Sequence, residues 1–312
     1  MEIRNLKAFL KVAALKNFTL TAKELGYSQA NVSAQIKQLE EEVGAPLFNR
    51  IGRSVTLTQH GEEMIPYARS IVSTAEQMEN LLKPEAELGG TIRVGMVESL
   101  FDAFAEDILL EYHNRFPKVQ LELVVDSTTA LKESLKRATL DMAFVIDEVL
   151  PQNEWQVLCS AEAQIIVAAS AGHPLSRKKR VALRELADQE FILMESSAPY
   201  GIRFRNELAR QQIELRPFLT LQRSDMARKL LEDGRFLSVL PRYTLADSLA
   251  ADKLCELPVT GLDIRQAVQT ILHKDKVPTK QLIGISALLE ARMDDGLNGQ
   301  RLFTHLHRTP TS

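Results

Sequence analysis

The sequence predicts an α/β protein with a small helical unit first, one long amphipathic helix next, and a body of alternating strands and helices last. Three patterns support this order. Apolar residues recur at helical spacing at the N-terminus, a longer apolar stripe runs from Thr58 to about Leu82, and strand and helix patterns alternate after Gly90. With 312 residues, 45% hydrophobic and 25% charged, the chain is long enough for two domains with their own cores.

The N-terminal unit begins with a helix that carries Leu6 and Phe9 on one side. A short second helix is expected over 20–25, where Thr21 starts a Thr-x-x-Glu capping box and Thr19 is a competing cap. Gly26 follows it as a left-handed C-cap, and Ser28 caps a third helix. Two helices joined by a tight turn that contains glycine predict a helix–turn–helix.

The third helix has two faces of different chemistry. Val32, Ile36, Leu39 and Val43 form an apolar face, and the opposite face carries Gln29, Ala30, Ser33, Ala34 and Lys37. A solvated face would favour Glu, Lys and Arg, whereas short and amide side chains fit base edges in a DNA major groove. A plain helical hairpin is the alternative interpretation.

Residues 46–57 predict two short strands around Gly52, with Arg50 and Arg53 near the tip. A basic hairpin after such a helix is a wing, whose arginines can reach phosphates or the narrow minor groove of A·T-rich DNA. The alternative is a solvated turn or an ion pair with Glu40–Glu42, and it applies more to Arg50 than to Arg53.

The net charge of −3 does not by itself indicate a nucleic-acid partner. Charge is nevertheless uneven, because Glu24 is the single acid among the basic residues between Arg4 and Lys37. A locally basic N-terminal unit on a mildly acidic body provides the attraction that phosphates require.

The ordered motif F-T-x-T-A-x-x-L-x-x-S-Q-A-N-V-S-x-Q-I-K-x-L-E-x-x-V-G-A-P-L-F-N-R-x-G-R resembles that of the LysR-type transcriptional regulators, and the match extends from Phe9 to Gly61. The resemblance implies base contacts from Gln29, Ala30, Ser33 and Ala34, and insertion of Arg53 into the minor groove. It implies phosphate contacts from Ser28, Gln35 and Lys37. Many members carry Pro at position 30 and Arg at position 34, so their base preference does not transfer to this chain. The expected DNA-binding residues are Ser28, Gln29, Ala30, Ser33, Ala34, Gln35, Lys37, Arg50 and Arg53.

The long helix after Thr58 has apolar residues at alternating spacings of four and three, which is the pattern of a heptad seam. Pro66 is expected to bend it or to lie in its first turn, and 83–90 is expected to be a hinge. The resemblance implies a linker helix that pairs two subunits, so we expect a homodimer on inverted-repeat DNA, and a homotetramer is usual in the family. The predicted seam is Met64, Ala68, Ile71, Ala75, Met78 and Leu82.

After Gly90 the order of strands and helices predicts a parallel sheet, and residues 155–170 hold two apolar runs, at 155–159 and 164–169. Further matching motifs, such as G-x-I-R-V-G at 90–95, imply two Rossmann-like subdomains that share crossover strands, as in periplasmic solute-binding proteins. The expected divisions are 1–58 (winged helix–turn–helix), 59–88 (linker), 89–294 (effector domain, with subdomain I about 91–161 and 268–294 and subdomain II about 162–267) and 295–312 (disordered tail).

In open α/β sheets, ligands bind beyond the carboxyl ends of strands, near helix N-termini. By this rule and by the resemblance, the candidate effector residues are Glu98, Ser99, Leu100, Thr128, Thr129, Ser196, Tyr200, Arg203 and Phe204. The alternative role for the hydroxyl groups is helix capping. Because Glu98 disfavours an anion unless Arg203 or Arg205 offsets it, we hypothesise an effector with a cationic or hydroxyl-rich group. Phe236, where many relatives have glycine, is expected to reshape the cleft.

Two other function classes compete with a regulator: an enzyme or small-molecule-binding α/β protein without a DNA function, and an exported solute-binding protein. The sequence has no G-x-G-x-x-G after a strand, P-loop or H-E-x-x-H, so we expect no catalytic residues, metal or cofactor other than a small-molecule co-inducer. No apolar export signal or membrane span is evident, which predicts a cytoplasmic protein. Cys159 and Cys255 are expected to be reduced and buried, with a peroxide-sensing pair as the alternative. RNA polymerase is a hypothetical further partner.

Overall fold

The computed structural model describes residues 1–51, 54–80, 82–195, 198–296 and 301–303. The chain divides into two compact units: the first is Met1–Pro84 with the short segment Lys136–Thr139, and the second is the rest of the described chain from Glu85 onward. Each unit has its own cluster of buried apolar side chains. Within the described part of the chain, no helix combines the length and the apolar character needed to cross a membrane.

The first unit, called the N-terminal unit, is mainly helical. Its elements are α1 (Ile3–Leu15), α2 (Phe18–Leu25), α3 (Gln29–Val43), β1 (Phe48–Ile51), β2 (Ser54–Leu57) and α4 (Gln59–Asn80). β1 and β2 form an antiparallel pair, in which Phe48 faces Leu57. The order of helix, helix–turn–helix and hairpin is the predicted winged arrangement.

The core of the N-terminal unit forms around three aromatic rings. The Phe48 ring lies 5.5 Å from that of Phe9 and 5.9 Å from that of Phe18, measured between centroids. Ile36 and Leu39 of α3 are fully buried in the same cluster. The apolar face of α3 is therefore anchored against α1, α2 and the first strand of the hairpin.

The caps of the predicted helix–turn–helix agree with the sequence at the turn but not at the start of α2. Gly26 adopts φ of 70° as the C-cap of α2, and the Ser28 side chain accepts the Asn31 N–H at 3.1 Å as the N-cap of α3. The N-cap of α2 is Asn17, whose side chain accepts the Leu20 N–H, so the prediction of Thr21 or Thr19 as the cap is wrong. Asn is as good a cap as Ser, and Phe18 extends the helix because it packs into the core.

The hairpin is connected to α3 and α4 by polar contacts, most of them part-buried. The Glu40 carboxylate accepts the backbone N–H groups of Leu47 and Phe48 at 2.8 and 3.3 Å. Thr58 caps α4 by accepting the Gly61 N–H, and it also donates to the Pro46 carbonyl. A Cβ atom at Gly61 would lie 2.2 Å from the Leu47 carbonyl oxygen, so this position requires glycine.

α4 runs through Pro66 and packs one side on α1. Ala68 is fully buried in the core of its own unit, so the prediction that it pairs with a second subunit is wrong. Met64 packs against the same core and is half-buried. The helix turns its seam inward because Ala68 and Val72 complete the core. The apolar residues that remain exposed are Tyr67, Ile71, Met78 and, beyond the helix, Leu82.

The second unit, called the C-terminal unit, alternates strands and helices. Its strands are β3 (Gly89–Met96), β4 (Lys118–Val125), β5 (Met142–Asp147), β6 (Trp155–Ser170), β7 (Val181–Ala182), β8 (Glu190–Met194), β9 (Arg216–Leu221), β10 (Leu237–Pro241), β11 (Leu254–Glu256), β12 (Val259–Thr260), β13 (Ile264–His273) and β14 (Arg301–Phe303). Its helices are α5 (Glu98–Arg115), α6 (Thr128–Lys136), α7 (Pro199–Arg210), α8 (Ser224–Leu231), α9 (Ala246–Ala250) and α10 (Lys280–Gly296).

The main sheet of this unit has the order β4-β3-β5-β13-β6-β10-β8-β9. Parallel strands β3, β4 and β5 define lobe I, and parallel strands β8, β9 and β10 define lobe II. β6 and β13 run antiparallel to each other and to the strands on either side, so they join the two lobes.

The apolar runs at 155–159 and 164–169 belong to one continuous strand, β6, and the stretch between them pairs with β13. The expectation of a disordered tail from residue 295 is wrong for its described part, where α10 continues to Gly296 and β14 pairs with β6. Residues 297–300 and 304–312 of that predicted tail lie outside the described residues.

We expect Glu40→Ala to lower the free energy of unfolding by about 1–3 kcal/mol, because two buried N–H groups lose their acceptor. Glu41→Ala is the matched control, since Glu41 lies on the same helix, is 66% exposed and pairs with Lys37 on the surface. The control substitution should lower the free energy of unfolding by less than about 0.5 kcal/mol. Urea unfolding of the full chain, followed by circular dichroism, measures both, and equal losses would contradict the role given to Glu40.

Candidate nucleic-acid interface and ligand cleft

The outer face of α3 is accessible along its first two turns. Gln29, Ala30, Ala34 and Lys37 are exposed, and Ser33 is half-buried. Val32 and Ile36, which alternate with them, are fully buried. The predicted set of small, hydroxyl and amide groups thus lies on one exposed surface, called the recognition face and made of Ser28, Gln29, Ala30, Ser33, Ala34 and Lys37.

The amide of Gln29 has a fixed partner in the preceding helix. Thr19 Oγ1 lies 3.0 Å from Gln29 Oε1 and donates to it, which directs the amide NH₂ group away from α2. A restrained amide loses less conformational entropy on binding than a free one. Thr19 therefore serves to orient Gln29, although the sequence had presented it only as a competing helix cap.

One predicted phosphate contact is wrong. Gln35 is only 8% exposed, and its Oε1 atom is buried without a hydrogen-bond partner among the described residues. The helical period explains this, because position 35 lies beside the buried Val32 and Ile36 and not beside Ala34. Of the two wing arginines, Arg50 belongs to β1, and Arg53 lies outside the described residues.

Several lysines of the basic N-terminal unit already have acidic partners. Lys11 pairs with Glu24, Lys7 with Glu76 at 3.2 Å, and Lys37 with Glu41 at 3.6 Å. These side chains are substantially exposed, so the pairs are worth little and can exchange for other anions such as phosphates.

In the C-terminal unit, a cleft of about 340 Å³ lies between the lobes, at the carboxyl ends of their parallel strands. Lobe I contributes Val97, Glu98, Ser99, Val125, Asp126, Ser127, Thr128 and Ile146, and lobe II contributes Met194, Glu195, Ala198, Pro199, Tyr200, Gln222 and Arg223. The volume suits a small molecule. Four of the predicted effector residues therefore come together there: Glu98, Ser99, Thr128 and Tyr200.

Glu98, at the start of α5, bridges the two lobes. Its two carboxylate oxygens accept the Ser224 N–H at 2.9 and 3.1 Å, and Ser224 Oγ lies 3.3 Å from one of them. Ser224 begins α8, so the carboxylate lies at the positive end of that helix. Burial raises the pKa of Glu98, while the hydrogen bonds from Ser224 act in the opposite direction.

Two further polar contacts organise the cleft. The Ser99 and Tyr243 hydroxyl oxygens are 2.8 Å apart and buried, which joins α5 to the turn that follows β10. Thr128 donates to the Ile146 carbonyl. Burial raises the pKa of Tyr200 and of Tyr243 well above that of a free tyrosine, so both remain protonated donors.

Other predicted effector residues do not line the cleft. Leu100 is fully buried in the core, and Phe204 is 1% exposed and packs 6.1 Å from the Phe191 ring, so the prediction is wrong for both. Arg203 instead donates to the Arg265 carbonyl at 2.9 Å and lies 3.5 Å from a Glu148 carboxylate oxygen.

Thr129 is exposed outside the cleft lining, and Ser196 lies outside the described residues. Phe236 is also absent from the lining; its ring stacks 4.9 Å from that of Phe218, so the expectation that it reshapes the cleft is wrong.

Two parts of the cleft region were not predicted from the sequence: the segment Gln222-Arg223-Ser224 and Tyr243. The first follows β9 and precedes α8, so the same strand-end rule that located Glu98 would have found it. Tyr243 follows β10 in the same way. Among the described residues, no three His, Cys, Asp or Glu side chains are placed to hold a metal ion.

The two cysteines are free thiols. Cys159 is buried, with its sulfur 2.6 Å from Thr270 Oγ1, and Cys255 is half-buried. Burial raises the pKa of both thiols, which disfavours the thiolate that peroxide chemistry needs. The geometry therefore favours the reduced, structural interpretation over a peroxide-sensing pair.

Comparison with known proteins gives matches over both units. Residues 3–62 match the family described as "Bacterial regulatory helix-turn-helix protein, lysR family", and residues 85–293 match the family described as "LysR substrate binding domain". The chain is 31% identical over 290 residues to the uncharacterized HTH-type transcriptional regulator YwqM of Bacillus subtilis (strain 168). The alignment covers 92% of this chain and 98% of that protein.

Two solved proteins are also similar. The HTH-type transcriptional regulator BenM of Acinetobacter baylyi is 30% identical over 256 residues, covering 78% of this chain and 81% of BenM. The full-length BenM structure aligns with a TM-score of 0.54 at 26% identity, covering 96% and 99% of the two chains. Full-length CbnR, solved as a complex with its target DNA, aligns with a TM-score of 0.59 at 20% identity, covering 93% and 99%, which shows a shared fold.

We expect Glu98→Gln to change the free energy of unfolding, relative to wild type, more favourably at pH 7 than at pH 4. The folded-state pKa of Glu98 lies above its ordinary value of 4.5, so the protonated group stabilises the fold and that contribution is lost as pH rises through the folded pKa. Glutamine removes the buried charge and retains an acceptor for the Ser224 N–H.

The matched comparison is Glu85→Gln, whose free energy of unfolding should change in the opposite direction. Hydrogen bonds from Arg115 lower the pKa of Glu85, so its stabilising contribution is present at pH 7 and lost on acidification. Urea unfolding of the three proteins at both pH values measures the differences. The same pH trend in the two variants would contradict the environment described for Glu98.

Proposed function

This chain belongs to the LysR family of transcriptional regulators, and from that premise we propose that it binds inverted-repeat operator DNA and changes transcription when a small molecule occupies the cleft. It is a regulator and not an enzyme. In this proposal residues 1–58 bind DNA, 59–88 link and pair the subunits, and 89–294 bind the effector. A protein that acts on chromosomal promoters works in the cytoplasm.

The main support for the proposal is the exposure and chemistry of the recognition face. Its groups are short, so α3 can approach base edges closely, and the Gln29 amide donates to the acceptors that guanine, adenine and thymine present in the major groove. Ala30 and Ala34 supply small apolar surfaces of the kind that contact a thymine methyl group. Ser28 and Lys37, at the margins of the face, are suited to phosphates.

A dimer follows from the limited reach of one such helix. One recognition helix contacts few base pairs, whereas two helices related by a two-fold axis contact half-sites about 34 Å apart. The exposed apolar residues Tyr67, Ile71 and Met78 of α4 provide a surface for the second copy. We propose a homodimer through this surface, with further association into a homotetramer.

The mechanism depends on how the two lobes are joined. β6 and β13 connect them, and the contacts of Glu98 with Ser224 and of Ser99 with Tyr243 hold them together across the cleft. An effector that binds one lobe arrangement more tightly shifts the population toward it. In the assembled oligomer this changes the spacing of the DNA-binding units, the bend of the DNA and the contact with RNA polymerase.

We expect Gln29→Ala to weaken operator binding by about 10- to 100-fold, which corresponds to about 1–3 kcal/mol for a lost base contact. Gln38→Ala is the matched control, because Gln38 is an exposed amide on the same helix that bonds to Glu42. Fluorescence anisotropy with DNA from upstream of the gene measures both affinities. Equal effects of the two substitutions would contradict the assignment of the recognition face.

We also expect Met78→Glu to dissociate the dimer, since it places a charge in the apolar surface of α4, where Met78 is 68% exposed in the single chain. Glu79→Gln, at the next position of the helix, is the control and should leave the mass unchanged. Light scattering measures the mass of each variant. A Met78→Glu protein with the wild-type mass would show that the subunits pair elsewhere.

A further inference from the structure

We propose that the cleft binds a ligand with a cationic group, an amine or a guanidine, in preference to a simple carboxylate. This inference rests on the proposed effector site and specifies the chemistry of its ligand. Three features of the cleft support it: the charges of the lining residues, the carboxylates of the chain that already lie at the helix N-termini, and the direction of the nearby arginines.

The lining is acidic. Glu98, Asp126 and Glu195 are the carboxylates among the lining residues, and Arg223 is the basic residue. The Arg223 guanidinium donates two hydrogen bonds of 2.8 Å to the carboxylate of Asp225, which lies outside the lining. With three carboxylates and one guanidinium, the described part of the lining carries net negative charge.

Helix N-termini normally attract anions, but two of those at this cleft already have carboxylates of the chain itself. Glu98 accepts the Ser224 N–H at the start of α8. Asp126 accepts the Ser127 N–H at 2.7 Å, directly before α6. A ligand carboxylate would have to displace these internal anions, and it would meet repulsion from Glu195.

The arginines expected to offset Glu98 are not in the cleft lining. Arg203 bonds to the Arg265 carbonyl and lies near Glu148, and Arg205 is likewise absent from the lining residues. Burial raises the pKa of Glu98, because desolvation disfavours the ionised carboxylate. A ligand cation beside Glu98 would add favourable counter-charge.

The remaining lining residues restrict the chemistry of the rest of the ligand. Glu195 is half-buried, and within the described residues its carboxylate has no ion pair. Val97, Ile146 and Met194 provide apolar surface, and Tyr200 offers an aromatic ring of the kind that attracts cations. The best occupant is thus a small molecule with an ammonium or guanidinium group on an alkyl or aromatic body.

The test uses three probes with the same four-methylene spacer: 1,4-diaminobutane, agmatine and adipate. Each is titrated calorimetrically into the full chain at low ionic strength, with wild type, Glu195→Gln and Glu154→Gln compared. Glu154 is an exposed loop residue outside the cleft lining, so its variant loses the same formal charge at a remote site. We expect at least one cationic probe to bind wild type and Glu154→Gln alike, to bind Glu195→Gln about tenfold more weakly, and to bind more tightly than adipate.

Tighter binding of adipate than of both cations would overturn the inference, and so would cation binding that is equal in all three proteins or absent from wild type. Operator affinity of the same preparations separates this failure from failure of the proposed function. A chain that binds operator DNA and prefers adipate remains an effector-responsive regulator with a different ligand class. A chain that binds neither operator DNA nor any probe fails both proposals.

Discussion

The burial of one side of α3 is the constraint on which the rest of the structure depends. Val32, Ile36 and Leu39 are completely enclosed by α1, α2 and the hairpin, so the helix cannot rotate without exposing them. Removing such side chains from a core costs about 2–5 kcal/mol each. The recognition face is accordingly held in one orientation, and the Glu40 contacts fix the hairpin beside it.

The C-terminal unit uses a different constraint to create its cleft. Because β6 and β13 are antiparallel and cross between the lobes, each lobe keeps its own parallel strands and its own helix N-termini. Among the described residues, the contacts between the lobes include the Glu98 carboxylate with the Ser224 N–H, the Ser99 and Tyr243 hydroxyls, and Arg203 beside Glu148. In the proposed mechanism, a polar ligand exchanges hydrogen bonds with such groups and so links its binding to the orientation of the lobes.

Local patterns predicted the elements well and the site only in part. Helical and strand periods located α3, the Gly26 turn and the strand ends at Glu98 and Thr128, because these depend on neighbours in sequence. The burial of Gln35 and the direction of Arg203 depend on packing against other elements, which no local period encodes. The partner of Glu98 is Ser224, 126 positions away, so that contact required the fold itself.

Selection from random duplex DNA by the intact chain measures whether paired copies of α3 recognise base edges through the recognition face. The account predicts enrichment of two-fold symmetric sequences whose half-sites are separated by whole helical turns. It also predicts that Ser33→Ala changes the preferred bases within the half-sites and leaves their spacing unchanged. Enrichment of asymmetric sequences, or identical half-sites for wild type and Ser33→Ala, would contradict it.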